Sequence, residues 1–146
     1  MKRLFSTLFA VVALAACAST GRMNDQQKLA LYRAHAGAPV TRFRYLGRFD
    51  NWTDLGDTAL AIWTRPNEAW LLELGASCSG LSFAHAIGLT STVGMVSARF
   101  DNVLVHNGGV AEIPCRIETI RPLDAKALKA AERAARAAAD QASGAM

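Results

Sequence analysis

Apolar positions recur at helical spacing near the start of the folded part of the chain and at strand spacing through its middle. Asn24 precedes residues 25–36, and Gln27 stands three residues after it, which is the pattern of a capping box at a helix N-terminus. Gly37 predicts the end of this helix. From Thr41 onward the period changes to two, which is typical of a half-buried strand.

Turn-forming residues divide the middle of the chain into hairpins of antiparallel strands. The turn signals are at residues 56–57, 66–67 and 107–109. If the turn at residues 66–67 is symmetric, Trp63 lies opposite Trp70 on the paired strands. Pairing around the third turn carries Cys115 inward, whereas residues 81–90 fit either a helical turn or a strand.

The composition changes after Pro122, where an Ala-rich helix is predicted. Asp124 is a favourable N-cap for a helix over residues 125–142. Leu128 is its only bulky apolar side chain, so the helix is expected to pack mainly at its start. The patterns predict one small α+β domain, mainly an antiparallel β-sheet of barrel-like or sandwich form, with an N-terminal helix and an Ala-rich C-terminal helix.

The first residues have the pattern of a secretion signal. Lys2 and Arg3 precede a mostly apolar run over residues 4–14, and two small residues then precede Cys17. The run has about 11 residues, which is too short for a membrane-spanning helix of roughly 20 residues. We therefore predict a cleaved signal peptide over residues 1–16.

The motif Leu14-Ala15-Ala16-Cys17 resembles the lipobox of bacterial lipoproteins. The resemblance implies a mature protein that begins at a lipid-modified Cys17, where each buried methylene of the acyl chains contributes about 0.8 kcal/mol to membrane binding. Ala18 in place of Asp implies an outer-membrane position facing the periplasm. The predicted segments after the signal peptide are a tether over residues 17–23, a compact β-rich domain over residues 24–123, and a C-terminal helix and tail over residues 124–146.

Removal of this leader changes how the charge and the cysteine content of the chain are interpreted. The formal net charge of +4 falls by two when Lys2 and Arg3 are removed, so the basic balance does not indicate a nucleic-acid partner. An exported protein meets an oxidising compartment, and the two cysteines that remain besides Cys17 are Cys78 and Cys115. We predict that they form a disulfide, which stabilises the fold by roughly 3 to 4 kcal/mol on the chain-entropy model.

Three arginines alternate along the predicted strand after Thr41. Arg42, Arg44 and Arg48 would lie on its outward side, where a lipid-tethered protein can meet anionic lipid head groups or cell-wall polymer. The alternative is an ordinary solvated strand edge, where basic residues discourage pairing with other chains.

Candidate catalytic residues form two groups. The first is Asp50, Asp54 and Asp57, which flank a turn where Asp is favoured for local hydrogen bonding. The second is His85 and His106, which could serve Cys78 as base or join the cysteines as a metal set. The predicted disulfide removes Cys78 as a nucleophile, and the spacing is too loose for a convincing zinc site, so no metal or cofactor is expected.

Several short segments of the domain carry a resemblance to a known family. They are residues 36–40, Trp52, residues 55–56, residues 70–72, Cys78, Leu81, residues 100–101, Val103, residues 115–117 and residues 120–124. From residue 36 to about residue 130 the chain resembles an uncharacterised family of small exported bacterial proteins, many of them lipoproteins, known as a domain of unknown function. The resemblance implies paired cysteines and a single domain, and it does not indicate an activity.

These observations predict a lipid-anchored protein of the cell envelope. The expected role is non-enzymatic, as a structural or accessory factor that binds another envelope protein or cell-wall polymer. The alternative is a small periplasmic hydrolase that uses the Asp50 to Asp57 region or His85 and His106.

Overall fold

A computed structural model describes residues 22–109 and 111–144. The predicted signal peptide and the lipid-modified Cys17 lie outside the described residues. The elements in chain order are α1 (Asp25–Ala34), β1 (Arg42–Arg44), β2 (Asn51–Asp54), β3 (Ala59–Arg65), β4 (Glu68–Leu74), a 3₁₀ turn (Leu81–Phe83), β5 (Ala86–Leu89), β6 (Met95–Ser97), β7 (Asn102–His106), β8 (Ile113–Leu123) and α2 (Ala125–Gly144). In this part of the chain neither helix is long and apolar enough to cross a membrane.

Six of the described strands form an antiparallel sheet that curls into a half-barrel, as predicted for a barrel-like α+β domain. Its order is β2-β3-β4-β8-β7-β5, and β1 pairs with β6 in a separate two-stranded ribbon. Single bridges from Ala36 to Leu123 and from Val40 to Ile120 attach the segment before β1 to β8. The long strand β8 therefore contacts β4, β7 and the N-terminal segment.

Each face of the sheet buries its own apolar cluster. On β3, Leu60 and Ile62 point into the half-barrel, while Ala59, Ala61 and Trp63 face the helices. All five are buried, because strand residues alternate between faces and both faces are covered. Alanines on the outer face leave room for the helices to approach closely.

Local capping fixes the start of both helices as the sequence predicts. The Asn24 Oδ1 accepts a hydrogen bond from the Gln27 backbone at 2.8 Å, and the Gln27 Oε1 accepts one from the Asn24 backbone at 3.0 Å. Asp124 caps α2 through Ala127 at 3.0 Å. Helix α1 ends at Ala34, before the predicted residue 36, because Ala36 forms a bridge to β8.

The C-terminal helix is held at its start, where Ala125 and Leu128 are its buried residues. Leu128 is fully buried in the cluster between the helices and the sheet. This confirms the prediction that α2 packs through its first turns.

One register differs from the prediction. Trp63 pairs with Ala69, and Trp70 pairs with Ile62, so the two tryptophans are not opposite each other. The ladder shifts between Trp63 and Arg65, which leaves Thr64 as an extra residue next to the turn. A shift of one residue exchanges the two faces of a strand. Trp63 consequently joins the helix-facing cluster and Trp70 packs on the half-barrel interior.

The predicted bridge between Cys78 and Cys115 is present, with their Cα atoms 5.7 Å apart. Cys78 is buried in the connection after β4, and Cys115 lies on β8 opposite Val103 of β7. Residues 81–90, whose sequence pattern fits either a helical turn or a strand, form the 3₁₀ turn followed by β5. Both elements lie inside the loop that the bridge closes.

We expect the double variant Cys78→Ala/Cys115→Ala to fold less stably by about 4 kcal/mol, because removing the bridge frees a loop of 37 residues in the unfolded chain. Urea unfolding of the oxidised wild type and the variant measures the difference. As a second check, secreted wild-type protein is treated with an alkylating reagent and its intact mass is measured. Alkylation of two thiols would contradict the bridge.

Candidate functional site

A cavity of about 670 Å³ opens between the two helices and the outer face of β2 and β3. Helix α1, helix α2 and the turn after β3 each contribute to its wall. The lining residues that carry polar or aromatic chemistry are Arg22, Lys28, Tyr32, Asp50, Asn51, Thr53, Trp63, Lys129, Glu132 and Arg136. We call this cavity the helix–sheet cleft.

Tyr32 is the residue at which the two helices and the sheet meet. Its side chain is buried, and its hydroxyl donates a hydrogen bond to the Glu132 Oε1 at 2.6 Å. Its ring meets Trp63 edge-on, with ring centroids 6.2 Å apart and planes at 89°. An edge-on aromatic pair is a favourable geometry, so Tyr32 joins α1 to α2 and to β3.

The surroundings of Tyr32 keep its hydroxyl protonated. Burial is the main cause that raises the pKa of Tyr32 well above its ordinary value, and the hydrogen bond and negative charge of Glu132 raise it further. The phenol therefore remains a hydrogen-bond donor to Glu132 at physiological pH. Burial also raises the pKa of Tyr45, which lies in the half-barrel cluster.

The indole of Trp63 carries an unused donor. Its Nε1 is buried and has no hydrogen-bond partner among the residues that the structure describes. An unsatisfied buried donor costs about 1 to 3 kcal/mol. Trp63 thus contributes an apolar wall to the helix–sheet cleft, and its unpaired Nε1 offsets part of the stabilisation that its buried ring provides.

Positive groups outnumber carboxylates around the helix–sheet cleft. Of the basic residues, Lys28 lies 4.0 Å from the Asp54 carboxylate, and Lys129 donates to the Pro66 carbonyl. In the described part of the chain, Arg22 and Arg136 form no ion pair. A guanidinium group pairs well with a carboxylate or a phosphate, so the cleft favours an anionic group.

The predicted outward arginines lie outside this cleft. Arg42 and Arg44 are exposed on β1 on either side of the buried Phe43, and Arg48 is exposed three residues before β2. Phe43 stacks on Trp70 with ring centroids 5.0 Å apart, which orients the strand. Within residues 22–109 and 111–144 none of the three arginines pairs with a carboxylate.

The three aspartates do not form one site. Asp50 lines the helix–sheet cleft, Asp54 lies near Lys28, and Asp57 accepts a hydrogen bond from the Ser82 hydroxyl at 2.9 Å. Asp54 and Asp57 thus have different partners, and only Asp50 is among the residues that line the cleft.

The two histidines are neighbours across a strand pair. The backbone N–H of His85 donates to the carbonyl of His106 at 3.0 Å, and the His106 Nδ1 lies 3.6 Å from the Glu112 carboxylate. Both His106 and Glu112 are substantially exposed. Among the described residues no cluster of His, Cys, Asp and Glu could hold a metal ion, and the disulfide occupies both cysteines.

Sequence patterns did not identify the centre of the cleft. Helical spacing places Tyr32 on the apolar face of α1, and Glu132 stands four residues before Arg136 on α2, a spacing that predicts an ion pair along that helix. The available signal was spacing: Glu132 follows the buried Leu128 by four residues, which places both on one side of α2. The partner of Glu132 is 100 residues away in sequence, so the pattern alone could not name it.

We expect the folded protein to show little tyrosinate absorbance at about pH 10, where an unfolded chain is half ionised. The sequence contains two tyrosines, and burial raises the pKa of both. Above the ordinary tyrosine pKa, unfolding therefore releases protons. The contribution of the two buried phenols to the free energy of unfolding is fully present below that pKa and decreases as the pH rises above it.

Spectrophotometric titration in buffer and in denaturant measures the ionisation, and urea unfolding at rising pH measures the stability. Tyr32→Phe should weaken the pH dependence above about pH 10. Half-ionised tyrosines in the folded wild type at that pH would contradict the burial of these phenols.

Comparison with known proteins gives one match. The model of a family described as "Family of unknown function (DUF6491)" matches residues 1–139. No curated protein and no solved structure matches the chain. Because the match covers most of the sequence, the chain belongs to this family of unknown function (DUF6491).

Proposed function

We propose that this protein is a lipid-anchored, non-enzymatic binding protein of the bacterial cell envelope. In this proposal the mature chain begins at a lipid-modified Cys17 and holds an anionic envelope component in the helix–sheet cleft. Ala18 assigns it to the outer membrane, facing the periplasm. The lipobox-like motif supports the anchor, and the family match begins at residue 1 and so includes the leader.

The position of the cleft relative to the anchor carries the proposal. Arg22 lines the cleft and follows Cys17 by five residues. Five extended residues span at most about 18 Å, so the mouth of the cleft stays close to the membrane that holds the acyl chains. A component that lies at or near the membrane surface is therefore within reach of the site.

The wall of the cleft suggests the chemistry of its occupant. Arg22 and Arg136 offer guanidinium groups, and Tyr32 and Trp63 offer aromatic surface. This combination suits a carboxylate or phosphate group attached to an apolar or sugar-like body. Envelope proteins and cell-wall polymers both carry such acidic groups.

The enzymatic alternative is a small hydrolase. Of its five candidate residues, Asp50 lines the helix–sheet cleft and Asp54 lies 4.0 Å from Lys28 of the same cleft, whereas Asp57, His85 and His106 do not line it. General acid–base catalysis needs two such groups within reach of one substrate. We favour binding because the cleft brings together cations and aromatic rings.

A photo-crosslinking residue placed at position 135 tests the proposal in intact cells, because Ala135 lines the cleft. We expect a defined adduct with an envelope component. The double substitution Lys129→Gln/Arg136→Gln in the same chain should reduce the yield of this adduct by roughly tenfold, because it removes charge-assisted hydrogen bonds to the bound component.

The control is the same crosslinker at position 83, where Phe83 is exposed at the opposite end of the β2–β3 hairpin. An equal adduct pattern at both positions, or no adduct at position 135, would contradict a binding role for the cleft.

A further inference from the structure

Two aliphatic side chains project into solvent from neighbouring loops. Leu46 is 66% exposed and Val93 is 96% exposed. Tyr45, which precedes Leu46, donates its backbone N–H to the carbonyl of Gly94, which follows Val93, at 2.8 Å, so the two loops are adjacent. The fold therefore presents a pair of apolar tips beside each other rather than burying them.

Val93 also has an unfavourable backbone conformation. Thr92 and Met95 exchange backbone hydrogen bonds at 2.9 and 3.0 Å, which closes a two-residue turn. Both central residues have positive φ, 51° at Val93 and 71° at Gly94, which is the signature of a type I′ turn. This turn favours Asn at its first central position, and positive φ is costly for a β-branched residue. No burial within the domain compensates, because Val93 is almost fully exposed.

The apolar tips are bordered by the outward arginines. Arg44 pairs in register with Met95, immediately after the turn that carries Val93. Arg48 is exposed two residues after Leu46. We call Arg42, Arg44, Leu46, Arg48 and Val93 the loop-tip patch.

We propose that the loop-tip patch docks on an anionic lipid bilayer. Leu46 and Val93 would enter the boundary between head groups and acyl chains, and the arginines would contact lipid phosphates. A cell-wall polymer would use the arginines but would gain little from isolated aliphatic tips. The bilayer accounts for the arginines, for the exposure of the tips and for the choice of Val at a position that favours Asn.

The place of the patch in the molecule agrees with this occupant. Arg48 lies two residues before Asp50, and Asp50 lines the same cleft as Arg22, where the chain arrives from Cys17. One arginine of the patch is thus close in sequence to a residue that lines the cleft. The proposal adds a second membrane contact to the lipid anchor and does not depend on it.

The test uses a disulfide-bonded chain that starts at residue 18, so it carries no acyl group. Both buried clusters are formed by residues between Tyr32 and Leu128, so this chain retains every described core residue. Vesicle co-sedimentation compares phosphatidylglycerol-containing vesicles with pure phosphatidylcholine vesicles. We expect tighter binding to the anionic vesicles, with an apparent affinity that falls as salt rises.

Two variants separate the apolar and basic contributions. Leu46→Ser/Val93→Ser should weaken binding to anionic vesicles at least about tenfold. Arg42→Ser/Arg44→Ser/Arg48→Ser should remove the preference for anionic vesicles, because we expect each arginine to increase the affinity for them about fivefold. Matched controls are Phe83→Ser and Arg116→Ser, two exposed residues that are not part of the patch, and these variants should bind as the wild type does.

Val93→Asn distinguishes docking from a folding defect. Asn relieves the strained turn, so the melting temperature should rise by about 3 to 5 °C while vesicle binding weakens. Equal binding of wild type to both vesicle types, or unchanged binding of Leu46→Ser/Val93→Ser, would overturn the proposal. Arginine-dependent binding to purified sacculi without binding to vesicles would assign the patch to cell-wall polymer and also overturn it.

Discussion

The fold depends on burying a single sheet on both faces. Residues of the central strands β3 and β4 alternate between the two faces. The half-barrel side holds Leu60, Ile62, Leu72 and Leu74, and the helix side holds Ala59, Ala61, Trp63, Ala69 and Leu71. The half-barrel alone would leave the outer face of these strands in water. Helices α1 and α2 cover that face through Tyr32 and Leu128, and the gap that remains between them is the helix–sheet cleft. The candidate site is therefore a consequence of how the helix layer closes over the sheet.

The functional features gather near one end of the molecule. Arg22, Asp50 and Asn51 line the cleft at the start of β2, and Arg48 precedes that strand by three residues. The His106–Glu112 pair lies instead where β7 ends, beside the turn that leads to β8. A protein tethered through a short segment would be expected to turn its functional end toward the membrane. This arrangement unites the lipid anchor, the cationic cleft and the loop-tip patch in one proposal.

Local signals predicted the elements well, and long-range contacts account for what they missed. The caps at Asn24 and Asp124 depend on residues three positions away, so they were visible in the sequence. The disulfide followed from compartment and cysteine count. The positions of Trp63 and Trp70 were wrong because a single extra residue, Thr64, shifts the ladder, and no local pattern marks it. The contact between Tyr32 and Glu132 joins two helices from opposite ends of the domain, so it required the structure.

The proposed orientation of the helix–sheet cleft toward a membrane depends on the lipid anchor at Cys17, which is therefore the central functional claim. Cell fractionation with metabolic palmitate labelling tests this claim most directly, using wild type and Cys17→Ser produced in the same bacterial host. We expect wild-type protein to carry the label and remain with the membranes, and Cys17→Ser to carry no label and be largely released. A Cys17→Ser protein that is still labelled, or a wild type that is unlabelled and soluble, would contradict the account.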